Sequence, residues 1–315
     1  MKKLPSILLV VYLLSGCELI VDVDVPDNGG QVVVNSVPDT NDPWSVTLSE
    51  SAYILASEED FYHKVIPQAD VTIFNADGTS EQLHPSVPGS GKFVAESYPK
   101  PGQKYKIVVQ SKDLAPVEAE MTMPEITPIV DVEWDSANLQ DRRRFVNINF
   151  EVTFDDPANV KNYYQVMVYT YLLDSVNPTG QQVIVDTLQV RASLYTTDLA
   201  IGTEDDHLSI FSDATFDGRR YKAPFFCQLQ LMPFIPNQTV SENPRLIRIE
   251  LWLITLSEEY FLYEESAKLQ REVKGDPFAQ PVPVYSNLSN GFGIFAGTAT
   301  TIRSWTRDPK AQEQP

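Results

Sequence analysis

Chemistry in a protein starts with its nucleophiles, metal ligands and phosphate cradles, and this sequence holds few of them. Two thiols are present, Cys17 and Cys227, with three imidazoles, His63, His84 and His207. The histidines are scattered, with neither the i, i+4 spacing nor the cysteine partners of a zinc site. Cys227 lies in FFCQLQL, alternating with apolar neighbours, and reads as a small core residue. Glu204, Asp205, Asp206, Asp213 and Asp217 offer hard oxygen ligands of the kind calcium takes, but not in the order of an EF-hand loop. A solvated acidic loop is the plainer expectation. GFGIFAG spaces Gly291, Gly293 and Gly297 as G-x-G-x-x-x-G and runs into β-branched TATTI, not into the helix N-terminus that holds a pyrophosphate. A turn or a close-packed strand is expected there. GSGK at 89–92 resembles a fragment of a phosphate loop, yet Phe93 stands where Ser or Thr would bind magnesium, so a hairpin turn is expected. Neither G-x-S-x-G nor H-E-x-x-H occurs. Carboxylates are too numerous for sequence to nominate a glycosidase pair. No cofactor and no catalytic residue is expected.

Cys17 is different. Lys2 and Lys3 form a basic start, and residues 6–14 form an apolar run about half the ~20 residues needed to cross a bilayer as a helix. Residues 1–16 therefore read as a cleaved signal peptide, which leaves no transmembrane helix in the mature chain. Leu13, Leu14, Ser15 and Gly16 before Cys17 closely resemble the bacterial lipobox, which implies lipidation of the Cys17 thiol and acylation of the new amino group. Glu18, Asp22 and Asp24 follow, resembling the surface-export signal of Bacteroidota lipoproteins. The expected location is the outer membrane, lipid-anchored, at the cell surface; the periplasmic face is the alternative.

Hydrophobic residues make up 43% of the 315-residue chain and charged residues 21%, a composition that folds. Asp plus Glu outnumber Lys plus Arg by 43 to 24, and a formal charge of −19 excludes a nucleic-acid partner. Arg142, Arg143 and Arg144 read as a solvated turn.

Period-two alternation positions nearly everything else. QVVVNSV, WSVTLS, VTIFNADGTSEQL and KYKIVVQ read as strands, with Asp77 and Gly78 as a hairpin turn. FVNINFEVTF, NYYQVMVYTYLL, QQVIVDTLQV, APFFCQLQLM and RLIRIELWLI form a second set; in the last, Ile247, Ile249, Leu251 and Leu253 should be core, opposed by Arg248 and Glu250. Between the sets, MPEITP reads as an extended linker. LSEEYFLYEESAKLQREV is the helix candidate, about 257–273, with Ser257 as N-cap and Gly275 and Pro277 as its stop. The fold expected is mainly β: two β-sandwich-like domains in tandem with one short helix near the C-terminus. The divisions are a lipidated tether over 17–30, an N-terminal sandwich over 31–124, a C-terminal β-rich domain over 125–306 and a flexible tail over 307–315. Trp44, Trp134, Trp252 and Trp305 could stack on sugars or fill cores. Trp44 and Trp252, inside alternating strands, are expected in cores, and Trp305 is the least committed.

Residues 257–297, LSEEYFLYEESAKLQ followed by PVPVYSNLSNGFGIFAG, resemble the Bacteroidota lipoprotein family called domain of unknown function 4249. SDATFDGRRY at 212–221 and the order ADVTIFNADG, GKF, PGQKYKIVV support the resemblance. The N-terminal part is also similar to the carboxypeptidase-regulatory, prealbumin-like sandwich. The motif positions carried by the resemblance are Asp217, Gly218, Ser257, Tyr260, Tyr263, Asn287, Asn290, Gly291, Gly293 and Phe295. The family brings no activity with it, but its frequent neighbourhood to TonB-dependent transporters implies a binding or accessory role beside such an outer-membrane barrel or another envelope complex. A surface hydrolase, a carbohydrate-binding protein, and an adhesin or envelope scaffold are the alternatives. Ser136, Ser175 and Thr187, each after an Asp, resemble Bacteroidota O-glycosylation acceptors.

Overall fold

The computed structural model describes residues 30–52, 64–135, 145–176, 183–201, 210–230, 246–273, 279–280 and 282–306, without the side chains of 173–176 and 183–187. Cys17, His63, Ser136, residues 142–144, Asp205, Asp206, His207, the leader, the tether up to residue 29 and the tail lie outside the described residues, as do the side chains of Ser175 and Thr187.

Strands β1 (Val32–Ser36), β2 (Ser45–Glu50), β3 (Asp70–Asn75), β4 (Ser80–Pro85), β5 (Lys92–Val94), β6 (Lys104–Gln110) and β7 (Val117–Thr122) come first. Then follow β8 (Ile129–Trp134), β9 (Phe145–Asp155), β10 (Tyr163–Val176), β11 (Val183–Arg191), β12 (Ser193–Tyr195), β13 (Ile210–Ser212), β14 (Arg220–Gln230) and β15 (Leu246–Leu256). Helix α1 (Glu258–Val273), β16 (Phe292–Phe295) and β17 (Thr298–Thr306) complete the order. The chain is mainly β with one helix near its end, as the alternation predicts.

Two cores result. In the first, Val32, Val34, Val46, Leu48, Val71, Ile73, Tyr105, Ile107 and Val109 meet because alternate residues of a strand share a face. Gly78 turns β3 into β4 at φ 85°, and Gly89 and Gly91 turn β4 towards β5, so GSGK is the hairpin turn its sequence suggested. The second core lies between the sheet β11-β10-β15-β17, with β13 paired to β10, and the sheet β12-β14-β9-β8. Val146, Ile148, Phe150, Val152 and Phe154 all face it, and Cys227 sits in it fully buried. Along one border Thr301 donates to the Thr127 carbonyl at 2.8 Å and Arg303 to the Ile129 carbonyl at 3.1 Å, fastening β17 to the start of β8. Residues 123–128 are therefore no free linker. Thr127 is buried and its hydroxyl also accepts from Thr255 at 3.0 Å.

β15 departs from expectation in two ways. Ile249, Leu251 and Leu253 enter the core, whereas Ile247 is only half-buried. Trp252, expected inside, shares the outer face with Arg248 and Glu250, because a two-residue period leaves it no other choice. It packs tilted against Tyr169, with ring centres 4.8 Å apart, and against the cluster of Tyr163, Ile254 and Leu256, and its indole N–H donates to Glu250 at 3.0 Å. Trp44 fills the first core as expected, and Trp134 and Trp305 meet at 5.3 Å at the rim of the second.

The first sheet has eight strands, in the order β16-β1-β2-β5-β4-β3-β6-β7, and its eighth comes from beyond the helix. β16 pairs parallel with β1, from Val33 opposite Phe292 to Ser36 opposite Phe295. Just before it, Ser289 bridges to Glu118 of β7, at the opposite edge. Residues 286–297 thus join the two edges of one sheet around one core, and Phe295 is a core member. Gly293 makes the close approach possible: its φ is 99°, and a Cβ there would lie 2.0 Å from the Val34 carbonyl oxygen. Gly78 has a similar φ of 85° but open space around it. Gly293→Ala should therefore cost about 2–3 kcal/mol more than Gly78→Ala, since both carry the conformational strain and only one the clash. Urea-unfolding midpoints of the two variants measure the difference; equal midpoints would show that the closure is not needed.

Candidate functional site

The motif residues near the C-terminus assemble one joint. Ser257 Oγ accepts the Tyr260 N–H at 3.4 Å as the cap of α1, and accepts the Gly297 N–H at 3.3 Å as well. The Ser257 N–H donates in turn to the Gly297 carbonyl at 3.0 Å. Glu258 and Glu259 occupy the first turn of the helix and Arg271 the last, as its dipole favours. No residue of α1 is fully buried; Phe261 stacks on Tyr163 at 4.3 Å, Tyr260 packs beside it, and Tyr263 is half-buried. The Ser266 hydroxyl accepts from Tyr285 at 2.8 Å, tying the returning chain to the helix.

Asn287 is the centre of the joint. Its carboxamide donates to the carbonyls of Glu120 at 3.0 Å and Phe295 at 2.7 Å, and accepts the Phe295 N–H at 3.1 Å. Asn290 takes a φ of 56°, which an asparagine tolerates better than most residues, and Gly291 passes where a Cβ would lie 2.6 Å from the Val32 carbonyl. These positions are structural: they close the first sheet and cap the helix.

A second cluster forms between the β9–β10 loop and the turn before β14. Asp213 and Asp217 come together with Asp156, with ligand atoms all within 4.8 Å of one another. Asp156 belongs to no motif and was not singled out by its sequence; its only signal is that it follows Asp155 at the end of a strand. The three carboxylates could hold a cation, but each already accepts hydrogen bonds from the protein. Tyr164 donates to Asp156 Oδ1 at 2.5 Å and Gly218 N–H to Oδ2 at 2.8 Å. Asn162 N–H donates to Asp213 at 2.7 Å, and Asn159 N–H, at a φ of 63°, donates to Asp217 at 2.9 Å. The arrangement fastens one loop to the other. Gly218 is required by its φ of 69° and by Ala158, whose Cβ a glycine Cβ would approach to 2.6 Å.

The third feature was not found from sequence. A shallow hollow of about 790 Å³ lies on the outer face of β12-β14-β9-β8. Phe225, Cys227 and Leu229 point inward, so Phe226 must point outward; it pairs with Tyr195 on one side and Asn149 on the other. Their rings lie 6.3 Å apart, with Tyr195 42% and Phe226 40% exposed. Pro224, without an N–H, cannot extend the ladder, and β12 ends at Tyr195. The Thr196 hydroxyl instead donates to the Pro224 carbonyl at 2.6 Å beside the hollow. Glu133, Asp135 and Glu151 line it, and Lys222 bridges Glu151 at 2.7 Å and Glu133 at 3.3 Å. Those two carboxylates hold the Lys222 ammonium above its ordinary range.

Burial pushes the Cys227 thiol up to about 12, which makes it a core residue and a poor nucleophile. Of the three histidines only His84 is described, exposed on β4.

Burial raises the Asp156 carboxyl above 3.8, and the charges of Asp213 and Asp217 add to the effect, against the lowering by its bonds from Tyr164 and Gly218. A carboxyl raised in the native state binds its proton more tightly there. Its contribution to stability is complete below the unfolded value and is lost as pH rises through the native value. With chelator present, Asp156→Asn, which keeps an acceptor oxygen without the charge, should gain stability over the native chain as pH climbs from about 4 to 7. Urea midpoints across that series check it, and a gap that narrows with pH refutes it. A bound divalent cation would favour the ionised carboxylate and reverse the trend, so the same series with calcium reads out a metal.

The comparisons with known proteins match this chain to a family, and to no named activity. The family model described as a domain of unknown function, DUF4249, matches residues 19–304. No curated protein matches. Among solved structures, a segment of two fibronectin type III domains from chicken tenascin is similar at 11% identity and a TM-score of 0.20, over 72% of this chain and 90% of that one. The BSP domain of a biofilm-associated protein is similar at 6% identity and a TM-score of 0.16, over 90% of this chain and 62% of that one. Scores this low carry no argument about architecture or role. The family match is another matter, because it spans both cores, the acidic clasp and the joint built on Ser257, Asn287 and Gly293: the chain belongs to the DUF4249 family.

Proposed function

We propose that the protein is a lipid-anchored outer-membrane protein, exposed at the cell surface, that acts as a binding or accessory partner of a TonB-dependent transporter or another envelope complex and has no catalysis of its own. The observation that carries this reading is the stretch from Leu13 to Cys17, with the acidic residues Glu18, Asp22 and Asp24 behind it. Two acyl signals on one residue anchor a protein stably where a single chain does not. Thirteen residues separate Cys17 from Gln31, and about 3.3 Å per residue lets such a tether hold the body clear of the lipid surface. Among the described residues no helix is long and apolar enough to cross a membrane, a statement about helices alone.

The body supports a binding role. One of its hollows is an open sheet face, and the carboxylates of Asp156, Asp213 and Asp217 accept backbone and tyrosine donors.

Two measurements test the reading. Cys17→Ser should abolish incorporation of labelled fatty acid and move the protein from the membrane to the soluble fraction. Affinity capture of the lipidated protein from solubilised envelopes should recover an outer-membrane barrel; recovery of none, where known barrel complexes survive, sinks the accessory role.

A further inference from the structure

The hollow on the outer face of β12-β14-β9-β8 has a composition that selects its ligand. We infer that it binds an internal stretch of a neutral polysaccharide, with Tyr195 and Phe226 as the stacking platform and Glu151, Glu133 and Asn149 as the hydroxyl acceptors. The inference rests on the binding part of the reading above and not on a barrel partner.

Three observations lead there. Tyr195 and Phe226 stand next to each other across two strands, large and exposed, where a soluble sheet face would ordinarily carry polar residues. The two rings are tilted 47° to one another, so they offer a twisted platform on which each can face the apolar C–H side of one pyranose, and β-sheet pairing fixes the backbone from which both project. Beside them lie groups rich in acceptor capacity. Glu151 and Glu133 each present two carboxylate oxygens, only one of which is given to Lys222, and Asn149 adds an amide. A polyol is the ligand class that brings many hydroxyl donors to such a surface, and the Lys222 ammonium can donate back to a ring or hydroxyl oxygen. The charge balance decides among sugars. Among the described residues of the face Glu133 and Glu151 outnumber Lys222, and the chain as a whole carries −19, which disfavours uronic and sulfated polymers.

The same charge balance admits one rival, a basic peptide. Lys222 argues against it, because its ammonium already sits between Glu151 and Glu133, where a ligand cation would have to bind. A volume of about 790 Å³ lies within the ~300–1,000 Å³ of ordinary ligand sites, and the open, shallow shape suits a chain that enters at one end and leaves at the other.

The test is a binding panel on the full mature chain: neutral gluco-, manno- and galacto-configured hexasaccharides, a polygalacturonate oligomer and an oligolysine peptide, read by calorimetry. At least one neutral hexasaccharide should bind, with the acidic oligomer and the peptide silent. Tyr195→Ala or Phe226→Ala should each weaken that binding about tenfold, the loss of roughly 1.4 kcal/mol of stacking, and the double variant should abolish it. Phe145→Ala, an exposed ring at the start of β9 and outside the hollow, should bind as the parent does. Thermal melts confirm that the variants are folded. Silence of every neutral sugar, binding of the peptide alone, or neutral-sugar binding that survives both ring deletions overturns the inference. Because the panel uses purified protein, its failure is separate from a failed barrel capture.

Discussion

The architecture depends on a strand arriving from the wrong end of the chain. β16 pairs with β1 across some 260 residues of sequence, and Ser289 and Asn287, a few residues earlier, bond to β7 at the opposite edge. A seven-stranded sheet left without this segment would expose two rows of unpaired N–H and C=O groups, a template for unwanted pairing. With it, both edges are satisfied by one short stretch, and Phe295 enters the first core against Trp44 at a ring distance of 6.0 Å. The same stretch ends at Gly297, bonded to Ser257, where the helix begins and β17 departs. One joint therefore connects sheet closure, helix cap and second core.

The joint also explains why the two cores behave as a connected body. Asp39, between β1 and β2, accepts from Thr298 at 2.8 Å and Thr300 at 2.5 Å on β17. Thr127, between β7 and β8, bonds both Thr255 and Thr301. The chain crosses between the cores three times, at residues 123–128, at 256–257 and at 296–298, and polar side chains fasten the first and third crossings. A contact surface carried on such a body is ordered before a ligand arrives, which lowers the cost of binding.

Much of the strand pattern was legible because alternation is a local property. FVNINFEVTF and KYKIVVQ could bury only one face, and they bury it. The cap at Ser257 was legible for a similar reason, since a serine followed by two acids and an apolar period has few other uses. Trp252 packs against hydrophobic residues as expected, but its register puts it on the face of Arg248 and Glu250, against the small cluster of Tyr163, Ile254 and Leu256 and not in the main core. Asp156 and the hollow were illegible. Their members come from strands and turns up to 93 residues apart in sequence, from Glu133 to Phe226, and nothing local marks them as neighbours.

What the sequence determined by itself was therefore the kind of element each stretch forms, the family, and the expectation of a lipid at Cys17. Each depends on residues within a few positions of one another, where sterics, capping and a short recognition signal act. Which edges the elements close, which three aspartates share a space, and which side chains line the hollow were decided only in the tertiary structure. Those outcomes depend on pairings between distant strands, whose register is chosen by the packing of whole cores and not by any single segment.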